Sequence, residues 1–235
     1  MSGRFLRRVE AGSGEPAVVL EAGLNGGAAG WQSVIPLLAP HVRVVAYDRA
    51  GMGRSDPAPG LVTIDRQIDD LSTVITELDA GPCVLAGHSW GGILVQMLAY
   101  RRPDLVAGLV LVDPGHEDIE EGLPLPVQWG MKAMRTVIRD ELSEDAPVTV
   151  AAIREMRASG RPFPDVPVVV LSAAQGVPRK FRENWTRLQT ELAASAPQGR
   201  HLVVPGTGHQ IPVVRPDVIA DTILEVAALV RANRV

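Results

Sequence analysis

The sequence predicts one α/β domain: a mostly parallel, doubly wound sheet of about seven to eight strands flanked by helices. Three observations predict it. Short runs rich in valine or leucine recur along the 235 residues, each bounded by Gly, Pro or Asp. These runs lack polar alternation, as expected of strands covered on both faces. Stretches with helical apolar spacing lie between many of them.

The elements follow in order. "FLRRVE" (5–10) is a candidate edge strand. "AVVLEAG" (17–23) and "VRVVAYD" (42–48) are buried strands. "TIDRQIDDLSTVITEL" (63–78) sets Ile64, Ile68, Leu71 and Ile75 at helical spacing among polar residues. "CVLAG" (83–87) is a strand, and "WGGILVQMLAYRR" (90–102) is a helix that stops before Pro103. The strand "LVLVD" ends at Asp113. Residues 114–165 then hold no convincing strand but show helical patches such as "VQWGMKAMRTVIRDEL" (127–142). They form a helical lid inserted over the carboxyl ends of the strands. "VPVVVLSA" (166–173) and "HLVVPG" (201–206) resume the sheet. "PDVIADTILEVAALVRAN" (216–233) closes the chain with Pro and Asp at its start and a basic residue near its end, as the helix dipole favours. No repeat or linker divides residues 1–235, so a single domain is expected, with 114–165 as an insertion within it.

Composition narrows the function. A net charge of −4 supplies no basic field for nucleic acid or an anionic membrane. The lone Cys83 excludes an intrachain disulfide and any multi-cysteine metal site. The start, "MSGRFLRRVE", has no apolar core of a signal peptide, and no apolar run approaches the ~18 residues of a membrane span. The expected compartment is the cytoplasm and the expected partner a small molecule. No sequence feature sets an oligomeric state.

Gly87-His88-Ser89-Trp90-Gly91 falls where a strand turns into a helix with almost no loop. This is G-x-S-x-G in the strand–turn–helix setting of a nucleophile elbow. So tight a turn strains the serine and crowds the residues two before and two after it, hence the glycines. A serine hydroxyl needs a base to take its proton. His209, in "HLVVPGTGHQIP" after the final strand, stands at the same end of the sheet. His88 is read as structural, and His41, His116 and His201 as surface or strand residues.

Several separate motifs in order carry a resemblance: "EAGLNGG" (21–27), "YDRAGMGRSD" (47–56), "GHSWGG" (87–92), "LVLVDP" (109–114) and "PGTGHQI" (205–211). Over nearly its whole length the chain resembles an α/β-hydrolase-fold protein. The resemblance implies the order serine, acid, histidine, a lid where residues 114–165 lie, and an oxyanion hole of two backbone N–H groups. By position those donors are Leu24 and Trp90. The family often opens its oxyanion loop with His-Gly. Here the pair is Ala22-Gly23, which leaves a backbone donor intact.

The family acid usually follows the penultimate strand, but "LSAAQGVP" (171–178) has none, and the next acid, Glu183, is placed in a helix. Some members carry the acid one strand earlier, where Asp113 stands; Glu117 and Asp118 in the same loop are alternatives. The expected activity is hydrolysis of a carboxylic ester or related acyl bond by Ser89, His209 and Asp113 through an acyl-enzyme. No metal or organic cofactor is needed. Leu125, Trp129 and Met134 of the lid are candidate pocket residues for a small, largely apolar substrate. A lyase or carbon–carbon bond enzyme on the same scaffold, and a slow-turnover ligand-binding relative, remain open alternatives.

Overall fold

The computed structural model describes residues 4–119, 125, 146–176 and 178–233. Among these, seven strands form one sheet: β1 (Arg8–Ala11), β2 (Val18–Glu21), β3 (Val44–Tyr47), β4 (Cys83–His88), β5 (Val106–Val112), β6 (Pro167–Ala173) and β7 (Gln198–Val204). Their spatial order is β1-β3-β2-β4-β5-β6-β7. Every neighbouring pair is parallel except β1 with β3. The amino-terminal segment is therefore a short antiparallel edge that begins at Arg8.

Every residue of β2, β3, β4 and β6 is buried, which accounts for their mostly apolar sequences and the absence of polar alternation. Period-two geometry survives underneath it. Along β4, Cys83 and Leu85 enter one core cluster while Val84 and Ala86 enter the other. β7 departs from the pattern. As the last strand it is only half covered, leaving Leu202 and Val203 exposed.

Seven helices flank the sheet among the described residues: α1 (Ile35–Leu38), α2 (Ile64–Glu77), α3 (Trp90–Arg101), α4 (Ala146–Ala158), α5 (Arg179–Ala194), α6 (Ile211–Val214) and α7 (Pro216–Ala232). Ile68 and Leu71 of α2, Leu94 and Leu98 of α3, Ile153 of α4 and Leu192 of α5 join the core on one face. Leu38 of α1 and Ile219, Ile223 and Val226 of α7 join the core on the other. The sheet is thus doubly wound. α2 begins where Thr63 Oγ1 accepts the Arg66 N–H at 3.2 Å, an N-cap that satisfies one orphan donor. No described helix is long and apolar enough to cross a membrane.

Within residues 114–165 the described part includes α4. Arg154 of that helix pairs with Asp118, and Arg157 pairs with Glu117. The helical patch expected at 127–142 lies outside the described residues.

Candidate active site

β4 passes into α3 through a single residue. Ser89 sits at φ 52° and ψ −114°, a conformation that a side chain adopts only when its surroundings force it. Its N–H donates to Val112 O at 3.0 Å, and its carbonyl accepts from Gly92 N–H at 3.0 Å and Gly115 N–H at 2.9 Å. The flanking glycines permit the close approach. A Cβ on Gly87 would meet Gly91 O at 2.4 Å, and one on Gly91 would meet Glu21 O at 2.3 Å.

Because β4, β5 and β7 run parallel, the residues after them gather at one end of the sheet. His209 Nδ1 lies 2.6 Å from Asp113 Oδ2, a contact that spans 96 positions of sequence. Nδ1–H donates to the carboxylate, which leaves Nε2 as the proton acceptor. Asp113 is buried just past β5 at φ 42°. Its other oxygen accepts from Ala173 N–H at 2.9 Å and from the Trp185 indole N–H at 2.7 Å. A carboxylate withdrawn from water needs such donors, and here both oxygens have one.

His88 ties the two halves together. Its Nε2–H donates to the His209 carbonyl at 2.8 Å, and the two rings lie 4.8 Å apart, centroid to centroid. Burial, and then the neighbouring His209 ring, push His88 down to about 4 from the usual 6.5. His88 is therefore a neutral strut between the elbow and the histidine loop. Among the described residues no hydrogen bond joins Ser89 Oγ to His209.

The loop after β2 lies against the same turn. A Cβ on Gly23 would stand 3.4 Å from Ser89 Cβ. Among the described residues no protein acceptor meets the backbone N–H of Leu24 or of Trp90, the first residue of α3. The Trp90 indole N–H donates to Gln67 Oε1 at 2.7 Å, which turns that side chain toward α2.

The two alternative acids are engaged elsewhere. Glu117 meets Arg157 Nε at 2.5 Å and Asp118 meets Arg154. With His116 they place three metal-ligand atoms within 4.8 Å of one another. His116 Nδ1 already accepts the Asp118 N–H at 3.1 Å, and the two arginines balance the carboxylates. The group is an ion-pair junction between the β5 exit and α4. Leu125 is exposed, while Trp129 and Met134 lie outside the described residues. A cavity of about 580 Å³ beside Tyr100, Pro103, Phe163 and Pro164 lies at the amino ends of β5 and β6, the opposite end of the sheet from Ser89.

Sequence reasoning passed over two groups. Trp185 emerges only from the packing of α5 against Asp113. Glu21, Tyr47 and Arg49 form a buried cluster, and its signal was available: an acid inside an otherwise apolar strand requires a partner.

A serine on a tight strand–helix turn, at the same carboxyl end of a doubly wound sheet as a histidine tied to an aspartate, is the layout of an α/β hydrolase. Residues 16–154 match the family described as alpha/beta hydrolase fold, and the chain belongs to it. It is similar to YqjL of Bacillus subtilis, 22% identical over 92% of this chain and 85% of that protein. RutD of Pantoea ananatis, provisionally named a carbamate hydrolase, is 37% identical over 41% of this chain. The matched stretch spans only 35% of RutD. A thermophilic esterase from Thermogutta terrifontis has the same fold, with a TM-score of 0.66 at 23% identity over 97% of this chain and 94% of that one.

Gly87→Ala should destabilise the protein by about 1–3 kcal/mol, because the new methyl would press on backbone, and a urea midpoint measures the loss. His88 gives a pH signature. It stays neutral in the fold, while the unfolded chain takes up a proton below about 6.5. Stability should therefore fall as pH drops from about 6.5 to about 4, by a total on the order of 3 kcal/mol. His88→Gln should remove that part of the slope in denaturation curves taken across the same window.

Proposed function

We propose that the protein is a serine hydrolase that cleaves a carboxylic ester, or a related acyl bond, of a small and largely apolar substrate. The observation that carries this reading is the 2.6 Å contact between His209 Nδ1 and Asp113 Oδ2, at the same end of the sheet as the strained Ser89. His209 Nε2 takes the Ser89 proton as Oγ attacks the carbonyl carbon. The Leu24 and Trp90 N–H groups hold the oxyanion, and a donor of this kind supplies roughly 3 kcal/mol to the transition state. Collapse of the tetrahedral species expels the alcohol, which receives the proton from His209. Water, activated by the same imidazole, then cleaves the acyl-enzyme and restores Ser89. Asp113 holds the imidazole in one tautomer and stabilises its charged form. In this scheme residues 114–165 serve as the lid, and no metal or organic cofactor takes part.

Ser89→Ala should leave the fold intact and abolish turnover of p-nitrophenyl acyl esters. Persistence of wild-type turnover in that variant would sink the assignment. Asp113→Asn should lower kcat on the order of 10³–10⁴-fold, since the amide favours the wrong imidazole tautomer. A steady-state assay showing near-normal kcat would remove Asp113 from the mechanism.

A further inference from the structure

We propose that Arg49 is a positioning residue for the oxyanion hole: it orients and polarises the Gly23–Leu24 peptide, whose N–H is one of the two donors. The inference rests on the serine-hydrolase reading above. Arg49 follows β3 and is 2% exposed. Its Nη1–H donates to Ala22 O at 2.7 Å and its Nη2–H donates to Gly23 O at 2.5 Å. The same guanidinium pairs with Glu21, which also accepts the Tyr47 hydroxyl. A buried cation thus grips two consecutive carbonyls directly before Leu24.

Gly23 O and Leu24 N–H belong to one peptide unit. A trans peptide points its C=O and N–H in opposite directions. The cis bond recorded among the described residues is Glu15–Pro16, so the 23–24 unit is trans. Drawing Gly23 O toward Arg49 therefore turns Leu24 N–H away from the charged cluster. Gly23 also lies against the elbow, so this peptide stands beside the serine. The Gly26 N–H donates to the same oxygen at 3.0 Å and closes the turn. A cation on the carbonyl also pulls electron density from the amide nitrogen, so the N–H becomes a stronger donor. Stability alone does not require this arrangement, because apolar residues of similar volume commonly replace a buried ion pair without loss.

The test compares two ligands. An alkyl trifluoromethyl ketone forms an adduct with Ser89 that puts an oxyanion in the hole, while KM for a matched ester reports mainly on ground-state contacts. Arg49→Lys keeps the charge but cannot reproduce the planar fork. It should weaken trifluoromethyl ketone inhibition and lower kcat roughly 10- to 100-fold, with KM moving less than about threefold. The double variant E21Q/R49Q removes both buried charges together, so no uncompensated ion is left, and it should show the same split. Tyr47→Phe deletes one hydroxyl from the cluster without touching either carbonyl, and its ratio of inhibitor affinity to KM should stay within about threefold of wild type.

An unchanged ratio in folded Arg49→Lys or E21Q/R49Q overturns the proposal. An equal shift in Tyr47→Phe also overturns it, since the effect would then be general packing. Failure of both Arg49 variants to fold assigns the residue a purely structural role and overturns it too. A wild-type protein that neither hydrolyses esters nor forms the ketone adduct would instead refute the serine-hydrolase reading itself.

Discussion

The candidate site depends on one steric circumstance: three backbone segments meet with no side chain between them. Gly87 at the end of β4, Gly91 in the first turn of α3, and the carbonyls at the end of β2 approach so closely that a methyl on either glycine would overlap main-chain atoms. The strain of Ser89, of order 1–3 kcal/mol for such a backbone, persists because α3 is buried along most of its length. Parallel strands do the rest. They deliver Ser89, Asp113 and His209 to one end of the sheet from positions far apart in the chain.

Around this contact the polar groups are almost all committed to partners. Asp113 is held through both oxygens, the Glu21–Arg49 pair is wrapped in carbonyl and phenol contacts, and Glu117 and Asp118 face arginines of α4. Burial pushes the Tyr47 phenol well above its ordinary range, so it remains a donor to Glu21. Dipoles already fixed in place need not reorganise as charge develops, which is how an enzyme interior outperforms water. The N–H groups of Leu24 and Trp90 are among those left without a protein acceptor in the described residues.

Much of this was legible in the sequence. Burial on both faces erases polar alternation, so the strand runs stood out, and the elbow carried its own steric explanation in Gly87 and Gly91. The less legible parts have physical causes. The entire rows of β5 and β7 were not visible, because Val106 to Gly108 and Gln198 to Arg200 lack a dense apolar run. α5 is polar on its outer face and was noticed only through Glu183. Trp185 acquires its meaning from a residue 72 positions away, which no local pattern encodes. His88 looked structural from its place in the chain, and its link to the His209 loop comes from tertiary contact alone. Arg49 sat inside a quoted motif, yet what a buried guanidinium grips is a question only coordinates answer.

The short antiparallel edge has a wider reach than its four residues suggest. Residues just before β1 interlock with the loop that follows β3: Asp48 N–H donates to Arg7 O, Asp56 N–H to Phe5 O, and the N–H groups of Phe5 and Arg7 to Asp56 and Ser55. That loop begins at Asp48 and carries Arg49 as its second residue. Phe5 and Arg7 therefore help to brace the centre of the molecule, and altering the segment they belong to would act on the interior as surely as an edit beside the serine.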